Sequence, residues 1–278
     1  MALGGCGHVA TRALGARFGL PVAGLASGFV SSTATIGSMA GRAAKDPASM
    51  RAAVAGAVFS TVATFVQLGL LLVTVSRPTL VLMAPALGAG ALIATLYGLA
   101  FALRAVTPDG AADSEPGRAF SVGAALGLAA MMAVMLVIAA ALRNWLGESG
   151  VAVGAVVAGF VDTHAAAISV ASLVAAAKTT PREAVAPILA AMTSNMLAKI
   201  AMAIGSGSRS FALRVTPGLI APIAAAWAVA VFSLWYLVRN PRTKALHGSD
   251  VMSLIGCGMW FGLALAILFR TLRIGLFR

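Results

Sequence analysis

The sequence predicts an all-α, polytopic transmembrane helix bundle of about eight spans, and three observations support this. The 278 residues are 60% hydrophobic and only 10% charged, whereas soluble domains carry about 25% charged residues. Apolar runs long enough to cross ~30 Å of hydrocarbon recur along the whole chain. Alanine and glycine are abundant and aromatic residues make up only 6%, which favours closely packed helices over a barrel with aromatic girdles.

Eight apolar segments, each about 19–28 residues long, are separated by short polar connections such as Lys45-Asp46-Pro47. We predict spans over residues 20–42, 51–75, 79–103, 119–142, 150–177, 181–204, 211–238 and 251–269. Basic residues flank these spans almost evenly on the two sides, so the positive-inside rule favours one orientation only slightly. The chain is therefore predicted to be a multi-pass protein of the cell inner membrane.

Segments one to three of this series are repeated by segments five to seven. Gly28-Phe29-Val30 recurs as Gly159-Phe160-Val161, and Ser76-Arg77 recurs as Ser208-Arg209. Four spans separate the two copies, so both copies should cross the bilayer in the same direction, which is a parallel duplication. This register divides the chain into a first repeat with an incomplete N-terminal helix (1–118), a second repeat (119–238), and a connecting loop with an extra C-terminal span (239–278).

Polar and ionisable side chains inside the apolar runs are the candidates for a functional site, because such groups usually face the protein interior. Asp162 lies ~18 Å into the fifth segment, and His164 follows two residues later. Asn195 and Lys199 are four residues apart and share one face of a helix. We expect Asp162 and His164 to bind an ion or a proton, with Asn195 and Lys199 positioning or counter-charging Asp162. Alternatively, Lys199 snorkels to the interface.

A run of hydroxyl residues occupies the matching place in the first copy, and a glutamine replaces Lys199 there. Two interpretations remain open: the hydroxyls bond back to helix carbonyls, or the helix breaks and they line a polar path. For the second interpretation, the predicted helix breaks are Gly28 and Gly159, and the predicted pore-lining residues are Ser31, Ser32, Thr33, Thr35 and Gln67.

Other sequence features narrow the possible partners and chemistry. The net charge is +12, but the basic residues lie singly or in pairs beside the spans, which argues against nucleic acid. No nucleophile–base spacing and no HExxH motif occur, so we predict neither an enzyme nor a cofactor, and leave any metal unknown. Small-xxx-small spacings suit helix contact and predict a homo-oligomer. These are Gly24/Gly28, Gly123/Gly127, Gly150/Gly154 and Gly258/Gly262.

Three stretches of the sequence carry a resemblance to a known family. Gly24–Thr35 (GLASGFVSSTAT), Ala158–Ala165 (AGFVDTHA) and Thr193–Lys199 (TSNMLAK) resemble the signature of the DUF4010 domain of MgtC/SapB-type membrane proteins, over residues 10–238. The resemblance implies a role in magnesium or other ion homeostasis by association. Members often carry an N-terminal MgtC-like helical domain, which is expected to be missing here together with the first DUF4010 helix. They also tend to have Asp-x-Asp-Ala where this chain has Asp162-Thr163-His164-Ala165, so His replaces the second carboxylate of a divalent-cation site.

These features together lead to one expected function and one alternative. We expect a membrane transporter or channel-like protein for a small ion, proton-coupled or linked to cation homeostasis, whose partners are the lipid bilayer and that ion. The alternative is a membrane-embedded regulatory or scaffold subunit whose polar groups serve only helix contact.

Overall fold

The computed structural model describes residues 2–105 and 151–239, which form helices and contain no β-strand. Seven α-helices and one 3-10 turn, Pro47–Ser49, follow one another in these residues. The helices are α1 (Ala2–Lys45), α2 (Met50–Val75), α3 (Arg77–Leu103), α4 (Val151–Val161), α5 (Thr163–Ala175), α6 (Pro181–Ser206) and α7 (Arg209–Arg239).

Five helices in the described ranges are long and apolar enough to cross a membrane. They are Gly19–Lys45 within α1, Pro47–Val75, α3, α6, and Arg209–Leu237 within α7. They coincide with the first, second, third, sixth and seventh predicted spans, which confirms a helical membrane protein. The predicted spans 119–142 and 251–269 lie outside the described residues, so the count of eight spans and the duplication remain predictions.

The fifth predicted span is not one continuous helix. Asp162 divides it into α4 and α5 and takes an extended conformation, with φ −153° and ψ 110°. Its carboxylate accepts the N–H of His164 at 2.8 Å, so the side chain replaces a backbone acceptor and starts a new helix. The helices on either side have 11 and 13 residues, about 17 and 20 Å, and neither alone spans ~30 Å of hydrocarbon.

Helix ends in the described chain are set by short-range polar contacts. Thr180 and Glu183 form a capping box at the start of α6: Thr180 Oγ1 accepts the Glu183 N–H at 3.2 Å, and Glu183 Oε2 accepts the Thr180 N–H at 2.9 Å. At the end of α5, Ala177 has φ 56°, and the Lys178 N–H bonds to Leu173 O at 2.9 Å. This closes a Schellman motif with alanine where glycine is favoured.

A single residue, Ser76, connects α2 to α3. Its N–H donates to Leu72 O at 3.0 Å, and its carbonyl accepts the Leu80 N–H at 3.0 Å. The hydroxyls of Ser76 and Thr79 lie 2.9 Å apart, and both residues are buried. One residue therefore serves as the end of one helix and the N-cap of the next.

The described helices belong to two compact units. The first unit contains α1, α2 as far as Thr64, α3 from Ala94, α6 from Ala198, and α7 as far as Leu219. The second unit contains the remaining parts of α2, α3, α6 and α7, together with α4 and α5.

In the first unit, α1 packs closely on both α2 and α6. A methyl group at Gly28 would lie 2.6 Å from Ser60 Cα, and one at Gly37 would lie 3.2 Å from Met202 Sδ. Gly24 meets the backbone of Gly56 in the same way. The Gly24/Gly28 face is thus covered by α2 of the same chain, so it is not the oligomer surface predicted from its spacing. The other predicted glycine faces lie wholly or partly outside the described residues.

In the second unit, α4 packs on α6 through Gly159, where a methyl group would lie 2.6 Å from Ala191 Cα. Trp227 of α7 donates its indole N–H to Thr193 Oγ1 at 2.9 Å. Large apolar side chains remain exposed along the helices of both units, as expected of surfaces that contact lipid. Examples are Val30, Leu70, Ile204, Leu213 and Val231.

Candidate functional site

Among the described residues of the first unit, Lys199 is the most deeply buried ionisable side chain, with 0% exposure. Its Nζ donates to Thr64 Oγ1 at 3.0 Å. Thr64 lies ~21 Å from the start and ~16 Å from the end of α2, so the amine is directed to the middle of a neighbouring span. The snorkelling interpretation of Lys199 is therefore wrong.

Hydroxyl groups of α1 and α2 continue this contact. Thr64 Oγ1 donates to Ser32 Oγ at 3.1 Å, with Ser60 O at 3.4 Å as a longer alternative. Ser60 Oγ donates to Ala57 O at 2.7 Å and lies 3.4 Å from Ser32 O. We call Lys199, Thr64 and Ser32 the lysine–hydroxyl chain, because each donates to or accepts from the next across three helices.

The remaining predicted pore-lining residues of α1 make local contacts. The Thr35 hydroxyl donates to Ser31 O at 2.8 Å, with Ser27 Oγ at 2.9 Å as an alternative acceptor, and Ser31 Oγ accepts the Ala34 N–H at 3.2 Å. Thr33 is half-buried, as is Gln67 on α2. Thr35 thus bonds back to its own helix, as the first interpretation expects, whereas Ser32 accepts from Thr64 of α2.

The break predicted at Gly28 is absent, because α1 is helical from Ala2 to Lys45. Gly28 instead allows α2 to approach closely. The break predicted at Gly159 occurs three residues later, at Asp162. Glycine at both positions serves helix contact, and a capping carboxylate makes the break.

Asp162 and His164 form a contact pair at the α4–α5 break in the second unit. Asp162 Oδ1 lies 3.0 Å from His164 Nδ1, with the aspartate side chain 48% and the histidine side chain 20% exposed. A carboxylate can only accept, so Nδ1 carries the proton in this contact. His164 Nε2 is buried and has no hydrogen-bond partner among the residues that the structure describes. It is therefore an open nitrogen that can take a proton or a ligand.

Asn195 supports the same break from α6. Its Nδ2 donates to Gly159 O at 3.2 Å, one of the carbonyls that the end of α4 leaves without a helical partner. Asn195 is buried, and its Oδ1 has no partner within residues 2–105 and 151–239. Asn195 was expected to position Asp162, but its contact is with the α4 backbone at Gly159.

The described residues contain three acidic side chains, and each has its own partners. Asp46 caps the 3-10 turn, Glu183 belongs to the capping box, and Asp162 pairs with His164. Lys199 and Asp162 were expected to pair as opposite charges. Instead, Lys199 bonds to Thr64 and Asp162 pairs with His164. Within residues 2–105 and 151–239, no group of three or more His, Cys, Asp or Glu side chains is arranged to hold a metal ion.

Comparison with known families shows which family the chain belongs to. The family model described as "Domain of unknown function (DUF4010)" matches residues 1–207. The chain belongs to the DUF4010 family. No curated protein and no solved structure matches it significantly.

The DUF4010 match covers α1 to α6 and hence every residue of both polar sites. Thr64 is the one member of the lysine–hydroxyl chain that the sequence did not single out as a site residue. Its position three residues before Gln67, on the same face of α2, was the available signal. Its pairing with Lys199 depends on the contact of α2 with α6, which a single sequence does not contain.

Proposed function

We propose that this DUF4010 protein is a transporter or channel-like protein for a small ion in the cell inner membrane. Asp162 and His164 bind the ion or the coupling proton at the α4–α5 break. The resemblance to MgtC/SapB-type membrane proteins supports a role in ion homeostasis. The proposal includes no catalytic step and no cofactor.

The observation that supports the proposal is the interruption of an apolar segment by a carboxylate–imidazole pair. Non-helical backbone at membrane depth is tolerated where it is buried in protein or lines a water-filled cavity. Discontinuous helices of this kind form the ion and substrate sites of many transporters. The open Nε2 of His164 and the half-exposed Asp162 carboxylate offer a proton or ion a place at such a break.

A regulatory or scaffold subunit is the second candidate, and one observation favours it. Asp162 acts as the N-cap of α5, and N-capping alone stabilises a helix by about 1 kcal/mol. A purely structural role would need only the capping oxygen, whereas ion or proton binding also needs the charge.

A flux experiment with a matched pair of variants separates these two roles. The purified chain is placed in liposomes, and fluxes of H⁺, Na⁺, K⁺, Mg²⁺ and Cl⁻ are measured for the wild type, Asp162→Asn and Asp46→Asn. Both aspartates cap a helical turn by accepting the N–H two residues later. Asparagine keeps the capping oxygen and removes the charge.

We expect flux of at least one ion in the wild type, its loss in Asp162→Asn, and normal flux in Asp46→Asn. Equal flux in both variants would contradict the role of Asp162. A wild type that moves none of the five ions would reject transport and leave the scaffold candidate.

A further inference from the structure

The lysine–hydroxyl chain has more hydrogen-bond donors than acceptors. A lysine ammonium carries three N–H groups, and Thr64 Oγ1 is the acceptor for one of them. Within the described part of the protein, the other two have no acceptor. The side chain is fully buried, so bulk water does not satisfy them.

Ser32 also has an unused donor, which follows from the direction of the hydrogen bonds. Because Thr64 Oγ1 accepts from Lys199, its own hydrogen is donated onward, and Ser32 Oγ at 3.1 Å is the nearer acceptor. The Ser32 hydroxyl hydrogen then has no acceptor among the residues described. With Lys199 in its ammonium form, Lys199 and Ser32 therefore present three open donors and one positive charge.

No carboxylate balances this charge in the described chain. Asp46, Asp162 and Glu183 are engaged with Ala48, His164 and the Thr180 N–H respectively. A buried charge persists only when it is paired or hydrogen-bonded. The missing component is a negatively charged acceptor, which a bound anion supplies. A cation, by contrast, would meet like charge at Lys199.

We propose that Lys199, Thr64 and Ser32 form a binding site for a small inorganic anion. The inference makes an anion the substrate of the transport proposed above, with Asp162 and His164 as the site of the coupling proton, and rests on that proposal for its physiological role. The binding itself is tested without any measurement of flux.

Chloride is the probe for this site. The purified full-length chain is heated in detergent at constant ionic strength while chloride replaces gluconate, an anion too large for a site among packed helices. A ligand that binds only the folded state raises its stability with concentration. We expect the midpoint of unfolding to rise by about 3–6 °C for each tenfold increase in chloride above its Kd.

Matched variants assign the effect to this site. Lys199→Met keeps the length of the side chain and removes its charge, so the chloride-dependent rise should disappear. Thr64→Val should weaken chloride binding, so that more chloride is needed for the same rise in the unfolding midpoint. Thr61→Val is the control, because Thr61 is equally buried on α2 and its hydroxyl has no partner. It should respond to chloride like the wild type.

Three outcomes would overturn the inference: no chloride-dependent rise in the midpoint of the wild type, the full rise in Lys199→Met, or the same loss in Thr61→Val as in Thr64→Val. Should Lys199→Met fail to fold, Ser32→Ala decides by the same measurement, since it removes one donor. Chloride stabilisation without flux of any ion would reject transport and keep the anion site. Cation flux without a chloride effect would keep transport and reject the anion site.

Discussion

Replacing Gly28 by alanine tests whether the α1–α2 contact holds the lysine–hydroxyl chain together. The added methyl group would lie 2.6 Å from Ser60 Cα and 2.8 Å from Ser60 O. Carbon atoms in ordinary contact are ~3.5–4.0 Å apart, so the two helices must separate locally by about 1 Å. Backbone atoms cannot rotate away as a flexible side chain can.

The magnitude follows from three contributions. Overpacking of this kind costs about 1–3 kcal/mol. The Thr64–Ser32 hydrogen bond, at 3.1 Å, would lengthen beyond useful range, at a cost of about 1 kcal/mol. Alanine regains up to about 1 kcal/mol through its higher helix propensity. We expect a net loss of about 1–3 kcal/mol, which lowers the unfolding midpoint by about 2–12 °C.

Gly41→Ala provides the control on the same helix. A methyl group at Gly41 would meet no other atom within 4 Å, so only the helix propensity changes and the midpoint should stay level or rise. Both variants are measured by thermal unfolding of the purified protein in detergent. Equal midpoints for the two variants would refute the close-contact explanation.

Three further substitutions test separate contacts by the same thermal measurement. Thr61→Val should stabilise the protein by about 1 kcal/mol, because it removes a buried hydroxyl that has no partner; destabilisation would show that Thr61 bonds to something in solution. Ala177→Gly should raise stability by about 0.5–1 kcal/mol, because φ is 56° there and glycine adopts that conformation freely; an unchanged midpoint would contradict the Schellman ending. Tyr97→Phe should lower stability by about 1 kcal/mol, because the hydroxyl donates to Arg214 O at 2.7 Å; no change would mean that water replaces that bond at no cost.

The apolar segments predicted the described spans well because hydrophobic length is a property of the local sequence. The predicted segment 51–75 coincides with α2, which is Met50–Val75, and 181–204 matches α6, which is Pro181–Ser206. α6 begins beside the capping box of Thr180 and Glu183, and α2 ends beside the polar Ser76. Such boundaries need no knowledge of the partner helices.

The breaks were harder to predict, because glycine has two uses in a membrane helix. Gly28 and Gly159 were expected to weaken the helix, but both lie in regular helix and admit a neighbouring backbone. The break belongs to Asp162, whose side chain competes with a backbone acceptor. Choosing between these uses requires the position of α2 or α6, which depends on contacts distant in the sequence.

The candidate site was predicted in its members but not in its pairings. Asp162, His164, Asn195 and Lys199 stand out because polar groups are costly in apolar runs. Charge alone suggested that Lys199 meets Asp162, whereas Lys199 bonds to Thr64. Helix periodicity fixes which residues share a face, but it does not determine which helix lies opposite.

The one-residue connection between α2 and α3 limits how this protein can change shape. Ser76 is buried and bonded to both helices. We therefore expect α2 and α3 to move together near this connection. In the transport proposed above, bending is expected away from this connection, for example at the extended backbone of Asp162. Two glycines inserted beside Ser76 would make this connection more flexible without changing any residue of the two polar sites.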